Sequence, residues 1–325
     1  MKNVWVIGAG QLGSRHLQAL KKINHPLCIE VIDPNPDHLH VARARYDEIE
    51  SGGCPHSILF REEMEFSSDT QLDLVIVATN SNVRRSVVEK VLNAADVKSM
   101  VLEKLLFQYS RDYYDMKELI QKAGSDVRVN CSMRVMPFYQ ALKTTYHGQP
   151  IFYRVSISNY GLITNLIHYL DHIAFLTGCS DFKLDTGLLC TDPIDSKRPG
   201  FLELNGQVSA TFSDGSFGVF SCCSSGNRPV LLQIENSEAR HMVQEIQEVA
   251  WTSRAEHDWK WEKHKIITPY QSEMTQWIAE QLLFGKPCSL VKYEESMNIH
   301  LQLLEPLREH LNVTASIPFN HYPFT

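Results

Sequence analysis

Apolar runs and amphipathic stretches alternate through the first 130 residues. Residues 4–7, 28–32 and 74–78 are short, mostly apolar runs, the pattern of parallel strands covered on both faces, and 98–102 and 127–131 read as two further strands. A helix opens near Gln11, with Leu12, His16, Ala19 and Leu20 on one side. Residues 82–95 place Val83, Val87, Val91 and Leu92 on one helical face, and residues 111–123 form a further helix that Gly124 is placed to end. Strand–helix alternation of this kind predicts a doubly wound parallel sheet, with ligands outside the carboxyl ends of its strands.

The rest of the chain has a different period. Residues 151–158, 205–212, 217–222, 230–234 and 239–246 read as strands joined by short turns, with Asp214-Gly215 as a hairpin signal. They predict a mostly antiparallel sheet, open on one face. Helical pattern occupies 164–176, 273–284 and 294–311, and Pro137 can open another helix running to about 145. Residues 179–200, polar with two prolines, read as a long loop, and 251–265 mix aromatics and charges with no period that assigns them. The expected division is an α/β dinucleotide-binding domain over 1–130, then an α+β domain over 131–325 for substrate binding and oligomerisation. The C-terminal helix is expected to pack back on the first domain.

The 325 residues suffice for two domains with sizeable cores, and 43% hydrophobic with 21% charged content is ordinary for a soluble globular protein. A formal net charge of −7 argues against a nucleic-acid partner. Lys21-Lys22 and Arg84-Arg85 are isolated pairs that read as solvated helix faces. No stretch approaches the roughly 20 apolar residues that span a bilayer, and the N-terminus runs directly into a strand, so no membrane partner and a cytoplasmic location are expected. The eight cysteines form no C-x-x-C pair and read as buried cytosolic thiols.

The chemistry starts at Gly8-Ala9-Gly10-Gln11-Leu12-Gly13, directly after the first apolar run. Gly8 allows a tight turn, Gly10 lets a pyrophosphate approach the backbone, and Gly13 lets the helix sit close to the strand. The N–H groups at the helix start then point at the phosphates. Asp33 closes the second strand twenty residues after Gly13. Its carboxylate can accept both ribose hydroxyls and would repel a 2′-phosphate, so NAD(H) is expected as cofactor rather than NADP(H). Strand, glycine turn, helix, strand and spaced acid together predict a Rossmann domain. By the carboxyl-end rule Thr79, Asn80, Glu103 and Lys104 border its crevice.

Four positions carry candidate chemistry beyond the turn. Lys104, after a buried strand, can hold a substrate hydroxyl or developing alkoxide, or can be a snorkelling lysine at a strand end. His168 shares a helical face with Thr164, Asp171, His172 and Phe175; it suits proton transfer coupled to hydride transfer, or can be a hydrogen-bonded core histidine. His168 and His172 also have metal-ligand spacing, but Tyr169 stands where a metalloprotease glutamate would be and no third ligand is placed, so no metal is expected. Arg134 can meet an anionic or polyhydroxylated substrate, or form a surface salt bridge.

These residues resemble the glucose-fructose oxidoreductase, inositol dehydrogenase and rhizopine-catabolism (Gfo/Idh/MocA) group over nearly the whole chain. Val75-Ile76-Val77-Ala78-Thr79-Asn80 looks like the family's strand and cofactor loop, Leu102-Glu103-Lys104 like its E-K-P signature, and Asn130, Arg134 and Pro137 like its N-x-R-x-x-P region. The segment His168-Tyr169-Leu170-Asp171 resembles the helix with its catalytic histidine. The resemblance implies NAD(P)-dependent hydride transfer at a hydroxyl of a sugar, cyclitol or related polyol, and dimers or tetramers supported by the open sheet. By matched position Lys104 would hold substrate and His168 would be the acid/base. Two positions depart: Leu105 stands where the family has proline, and Thr164, followed by Asn165, where it has an aspartate four residues before the histidine. Asn165 can supply a hydrogen bond but no charge. The departures look like a branch associated with bacterial surface-polysaccharide and nonulosonic-acid sugar clusters.

The reading is an NAD(H)-dependent oxidoreductase acting on a hydroxyl or carbonyl of a sugar, nucleotide sugar or cyclitol. The catalytic set is Lys104, His168 and Asn165, and the substrate set is Lys104, Arg134, Thr164 and His168. Two alternatives stand beside it: a non-catalytic NAD-binding sensor or partner protein, and a lyase or epimerase that retains its NAD.

Overall fold

The computed structural model describes residues 1–325, Thr314 by its backbone alone. The chain forms two compact units: Met1–Val135 with Pro269–Glu294, and Met136–Thr268 with Glu295–Thr325.

The first unit is a doubly wound sheet in the order Val291–Lys292, Asp126–Val129, Ser99–Leu102, Leu74–Val77, Lys2–Ile7, Leu27–Ile32, Ser57–Arg61. All neighbours are parallel except the two-residue edge strand Val291–Lys292. The four central strands are apolar runs because helices cover both faces; Val4, Val6, Ile29, Val31, Leu74 and Val75 are fully buried. Register decides what meets at the carboxyl edge. Ile7 pairs with Ile32 and Val77, Val77 with Leu102, and Leu102 with Val129. The next residues along each strand, Asp33, Gly8, Ala78, Glu103 and Asn130, therefore emerge in one row. Backbone bonds extend the ladder into that row, from Gly8 N to Ile32 O (2.8 Å) and from Asn130 N to Leu102 O (2.8 Å).

Two elements of this unit carry no clear period: the helix Pro36–Asp47, started by Pro36 and capped by the Asn35 side chain on Asp37 N, and the strand Ser57–Arg61. The helix Gln271–Leu283 packs on Gln11–Lys21 from far along the chain. Gly124 closes Ser110–Ala123 in the left-handed conformation (φ 68°), as its position predicts.

The second unit holds an eight-stranded sheet in the order Phe182–Leu189, Gly206–Phe212, Phe217–Cys223, Phe152–Ser158, Leu231–Glu235, Ala239–Gln244, Val249–Arg254, Trp261–Lys265. Every pair is antiparallel except Phe217–Cys223 with Phe152–Ser158. Alternation sets its faces: Tyr153, Val155, Val208, Ala210, Phe220, Leu232 and Ile234 are buried, while Arg154, Lys183 and Thr211 are exposed. The helix Leu162–Thr177 packs on this sheet and Pro137–Tyr146 packs on the helix. The Asp214-Gly215 turn forms as expected, with Gly215 at φ 90°.

Two expectations are corrected, and a segment without an assignment is placed. Residues 179–200 are not one loop, because Phe182–Leu189 is the edge strand; with a single neighbour, a register shift between Asp185 and Leu188, and one solvated face, it has little apolar signal. Residues 251–265 complete one strand and form another, reversing at Asp258 and Trp259 with φ 53° and 58°. The cysteines are all free, yet only Cys131 and Cys222 are buried, and Cys190 and Cys223 are exposed. No helix among the described residues is long and apolar enough to cross a membrane.

Candidate active site

The glycine turn is built by close approach. Gly8 has φ 94°, and a Cβ there would sit 2.9 Å from the Ala78 carbonyl carbon. A Cβ on Gly13 would lie 1.7 Å from Gly8 O, so the helix approaches the strand only because that atom is absent. Gly10 differs: a Cβ would meet nothing within 4 Å. Gly10 is also the N-cap of Gln11–Lys21, with no side-chain cap and no acid in the first turn. The uncapped N–H groups and the space above Gly10 form a cradle for an anion such as a pyrophosphate. Gln11 is exposed and Leu12 half-buried at its rim.

Asp33 is held hard against this turn. Its Oδ2 accepts from Ala9 N at 2.7 Å and its Oδ1 from Asn35 N at 2.9 Å, and His38 Nδ1 lies 3.2 Å from both oxygens. The carboxylate thus ties the glycine turn to the second strand, where a ribose hydroxyl acceptor is required.

Further along the row, Glu103 and Lys104 are both buried, at 4% and 9% exposure. Glu103 Oε1 lies 2.9 Å from His16 Nε2 and accepts from Asn130 Nδ2 at 2.6 Å. His16 Nδ1 meets Thr275 Oγ1 at 2.8 Å, and Thr275 accepts from Gln271 Nε2 at 3.0 Å. Burial pushes the Glu103 carboxyl upward, but the His16 and Asn130 bonds and the Lys104 charge outweigh it and hold it down to about 2. Glu103 is therefore a fixed anion beside Lys104. The Lys104–Leu105 peptide is cis, at the position where the resembled signature carries proline.

Arg84 corrects another expectation. It is 1% exposed rather than solvated, and its guanidinium donates to the carbonyls of Thr79, Leu105 and Leu106. It clamps the two loops that follow the strands Leu74–Val77 and Ser99–Leu102. Arg85 is the half-exposed partner, paired with Glu89, Asp112 and Asp115. Thr79 Oγ1 is buried with no hydrogen-bond partner among the described residues, and Asn80, the N-cap of Ser81–Ala94, is exposed with its side chain not used as a cap. Arg134 is 7% exposed, in the short turn Ser132–Val135. An open cradle at Gly10, a carboxylate at Asp33 held beside the glycine turn and an unmatched hydroxyl at Thr79 fit NAD(H).

In the second unit, His168 lies on Leu162–Thr177. The Glu203 carboxylate sits at the start of this helix, accepting from Ile163 N (2.9 Å), Thr164 N (3.0 Å) and Thr164 Oγ1. Burial raises the Glu203 carboxyl, and these donors pull against it. Asn165 Nδ2 turns back to the carbonyls of Gly161 (2.9 Å) and Tyr160 (3.1 Å). His172 is fully buried, with Nδ1 2.7 Å from Tyr153 Oη and its ring against Tyr139.

His16, Arg84 and Glu203 join these sites without a motif. His16 reads as one more residue on a buried helix face, Arg84 as a surface charge, and Glu203 falls in no periodic segment. A polar residue on an otherwise apolar face is the only signal, and it marks His16 alone.

Residues 2–131 match the model of an oxidoreductase family with an NAD-binding Rossmann fold, GFO_IDH_MocA. No curated protein matches the chain by sequence. Among solved structures, the chain is similar to UDP-N-acetylglucosamine 3-dehydrogenase GnnA from Acidithiobacillus ferrooxidans, with 15% identity, 94% of this chain and 96% of that one covered, and a TM-score of 0.68. It is similar to an oxidoreductase from Agrobacterium radiobacter in complex with NAD+, L-tartaric acid and magnesium (18% identity, 93% and 94% covered, TM-score 0.70). GenD2 from gentamicin A biosynthesis, in complex with NAD, is a third (15% identity, 93% and 92% covered, TM-score 0.68). At such identities these likenesses speak for the fold. Residues 2–131, with the glycine turn and Asp33 beside it, thus match the NAD-binding Rossmann fold of the Gfo/Idh/MocA oxidoreductase family.

Proposed function

We propose that the protein oxidises or reduces a single hydroxyl or carbonyl carbon of a sugar, nucleotide sugar or cyclitol, with NAD(H) as cofactor. The observation that carries this reading is Lys104, buried at the carboxyl edge of the dinucleotide-binding sheet beside a carboxylate already engaged by His16 and Asn130. A cation so held favours a developing alkoxide. Two neighbours in fold, GnnA and GenD2, are by their descriptions a nucleotide-sugar dehydrogenase and a protein of gentamicin A biosynthesis, which is compatible with a sugar substrate.

Bound NAD(H) supplies the acceptor or donor of the electron pair and hydrogen that leave or join the carbon. The chain's residues do the rest. Gly8, Gly10, Gln11, Leu12 and Gly13 with Asp33, Thr79, Asn80 and Glu103 hold the nucleotide. Lys104 binds the reacting oxygen. In the oxidation direction His168 takes the proton from the O–H as the C–H bond breaks and C=O forms; in reduction it returns that proton. Arg134 and Thr164 orient the substrate, and Asn165 fixes the turn ahead of His168. Proton transfer of this kind contributes about 10²–10⁴-fold. The half-apolar outer face of the second sheet, where Phe152 stacks on Phe217 at 5.8 Å, serves as the surface for a homodimer or homotetramer, which light scattering reads directly.

The test is purified protein with NAD+ or NADH against a panel of sugars, cyclitols and sugar nucleotides, read at 340 nm, with thermal protection as the binding control. Turnover of one class supports the proposal. Tight NADH binding with neither turnover nor protection by any candidate overturns it in favour of a sensor, and product formation without net NADH release points to an NAD-retaining lyase or epimerase.

A further inference from the structure

The helix that carries His168 starts in an unusual way. Its N-cap, Gly161, has no side chain to satisfy the first-turn N–H groups, and φ is 73°. Glu203 does so instead, from the short strand Leu202–Glu203 some forty residues on. Its carboxylate is 4% exposed and takes two backbone N–H groups and the Thr164 hydroxyl. A Cβ at position 161 would sit 2.9 Å from Glu203 Oε1, so the glycine leaves the space the carboxylate fills. The strand is itself pinned, by pairing with Ile194–Asp195 and by the Leu202 N bond to Pro323 O at 2.8 Å. A serine or aspartate at position 161 would cap the helix locally. Bringing a buried carboxyl from a separate strand does more than capping requires.

We propose that Glu203 is the positioning residue for His168: held by Thr164 at the first turn, it supplies the negative charge that favours the imidazolium one helical turn further on. Residues i and i+4 share a helical face. The positive end of a helix opposes protonation of a histidine near it, and a carboxylate seated there cancels and reverses that field. The titratable groups around this helix include Asp171, His172 and Tyr169 on it, Tyr160 in the turn before it, Tyr153 on the sheet, Tyr139 and Lys143 on the neighbouring helix, Glu245 hydrogen-bonded to Tyr139, His147 beside Gly178 at its C-terminal end, and Asp195 on the paired strand. Of these, Asp171, Glu245 and Asp195 are further carboxyls, and Glu245 is raised by its burial.

The inference rests on His168 being the acid/base of the reaction proposed above, and the test separates the two. Full-length protein with labelled imidazoles is titrated by NMR, with His168 assigned by comparison with His168→Gln, for wild type, Glu203→Gln and Glu203→Asp. Loss of the charge in Glu203→Gln is expected to lower the His168 titration midpoint by about one pH unit. The Asp variant, which keeps the charge but withdraws it, is expected to fall by a smaller amount, and it decides the matter if the Gln variant does not fold. Where turnover is found, the acid limb of the kcat/KM profile moves with the midpoint. An unmoved midpoint in a folded variant, even with a lowered Tm, reduces Glu203 to a helix cap and overturns the inference. A shifted midpoint in a protein that turns over no substrate upholds the coupling and removes only the function.

Discussion

His16 Nε2 lies 2.9 Å from Glu103 Oε1, with the two side chains 1% and 5% exposed. The pair joins the helix that follows the glycine turn to the strand end that carries Lys104, so the cofactor cradle and the lysine are parts of one rigid construction. Truncating one partner of such a buried pair strands the other; His16→Ala is expected to cost about 3–5 kcal/mol in chemical denaturation.

The same pair predicts an acid dependence. Glu103 is held at about 2 in the folded protein against an ordinary value of 4.5. A depressed carboxylate stabilises the fold above its unfolded value and loses that contribution as pH falls through the folded one. The expected loss, on the order of 3 kcal/mol, falls between about pH 5 and pH 2. Urea unfolding of wild type and Glu103→Gln across that range checks it: the variant is weaker at pH 6 and lacks this part of the acid-induced decline.

Gly10 and Gly13 separate binding from folding. Gly13→Ala drives a methyl into Gly8 O, and overpacking of this kind costs about 1–3 kcal/mol or more, so both Tm and NADH affinity fall. Gly10→Ala meets no protein atom and has an ordinary φ of −64°, so Tm holds while NADH affinity drops, because the methyl occupies the space left for the pyrophosphate. Fluorescence titration with NADH beside circular-dichroism melting distinguishes them; equal affinity in Gly10→Ala and wild type rules out the cradle.

Under the proposed function Asp33 sets the nucleotide preference. Replacing it by serine removes the charge facing a 2′-phosphate, and the ratio of NADPH to NADH dissociation constants is expected to fall by about tenfold, roughly 1.4 kcal/mol. Binding titrations with both nucleotides read the ratio. An unchanged ratio assigns discrimination elsewhere, with His38, 3.2 Å from the carboxylate, next in line.

Lys104→Ala and His168→Ala are each expected to lower kcat/KM by about 10²–10⁴-fold on the substrate found by the panel. NADH affinity is expected to hold in His168→Ala. Unchanged turnover in either variant removes that residue from the mechanism.

Much of the first unit was legible along the chain because its signals are local. A parallel strand buried on both faces must be a continuous apolar run, and a helix start near a strand must be glycine where a Cβ would strike the backbone, as at Gly13. The edge strand Phe182–Leu189 and the hairpin through Asp258 and Trp259 were not legible. A strand solvated on one face and paired on one side needs little apolar periodicity, and a turn with positive φ at Asp258 and Trp259 has no glycine to announce it.

The row Asp33, Gly8, Thr79, Glu103 and Lys104 could be placed at the carboxyl edge of the sheet from strand ends alone, since each lies at or just beyond one. What those side chains do there depended on partners distant in sequence: His16 and Thr275 are 259 residues apart, and Glu203 reaches Thr164 across 39. Thr164 looked like the loss of a carboxylate, yet the folded chain brings another to the same turn. Local order records what a backbone must do where it stands, whereas a buried charge is decided by which distant groups close around it, because only their combined hydrogen bonds offset its desolvation.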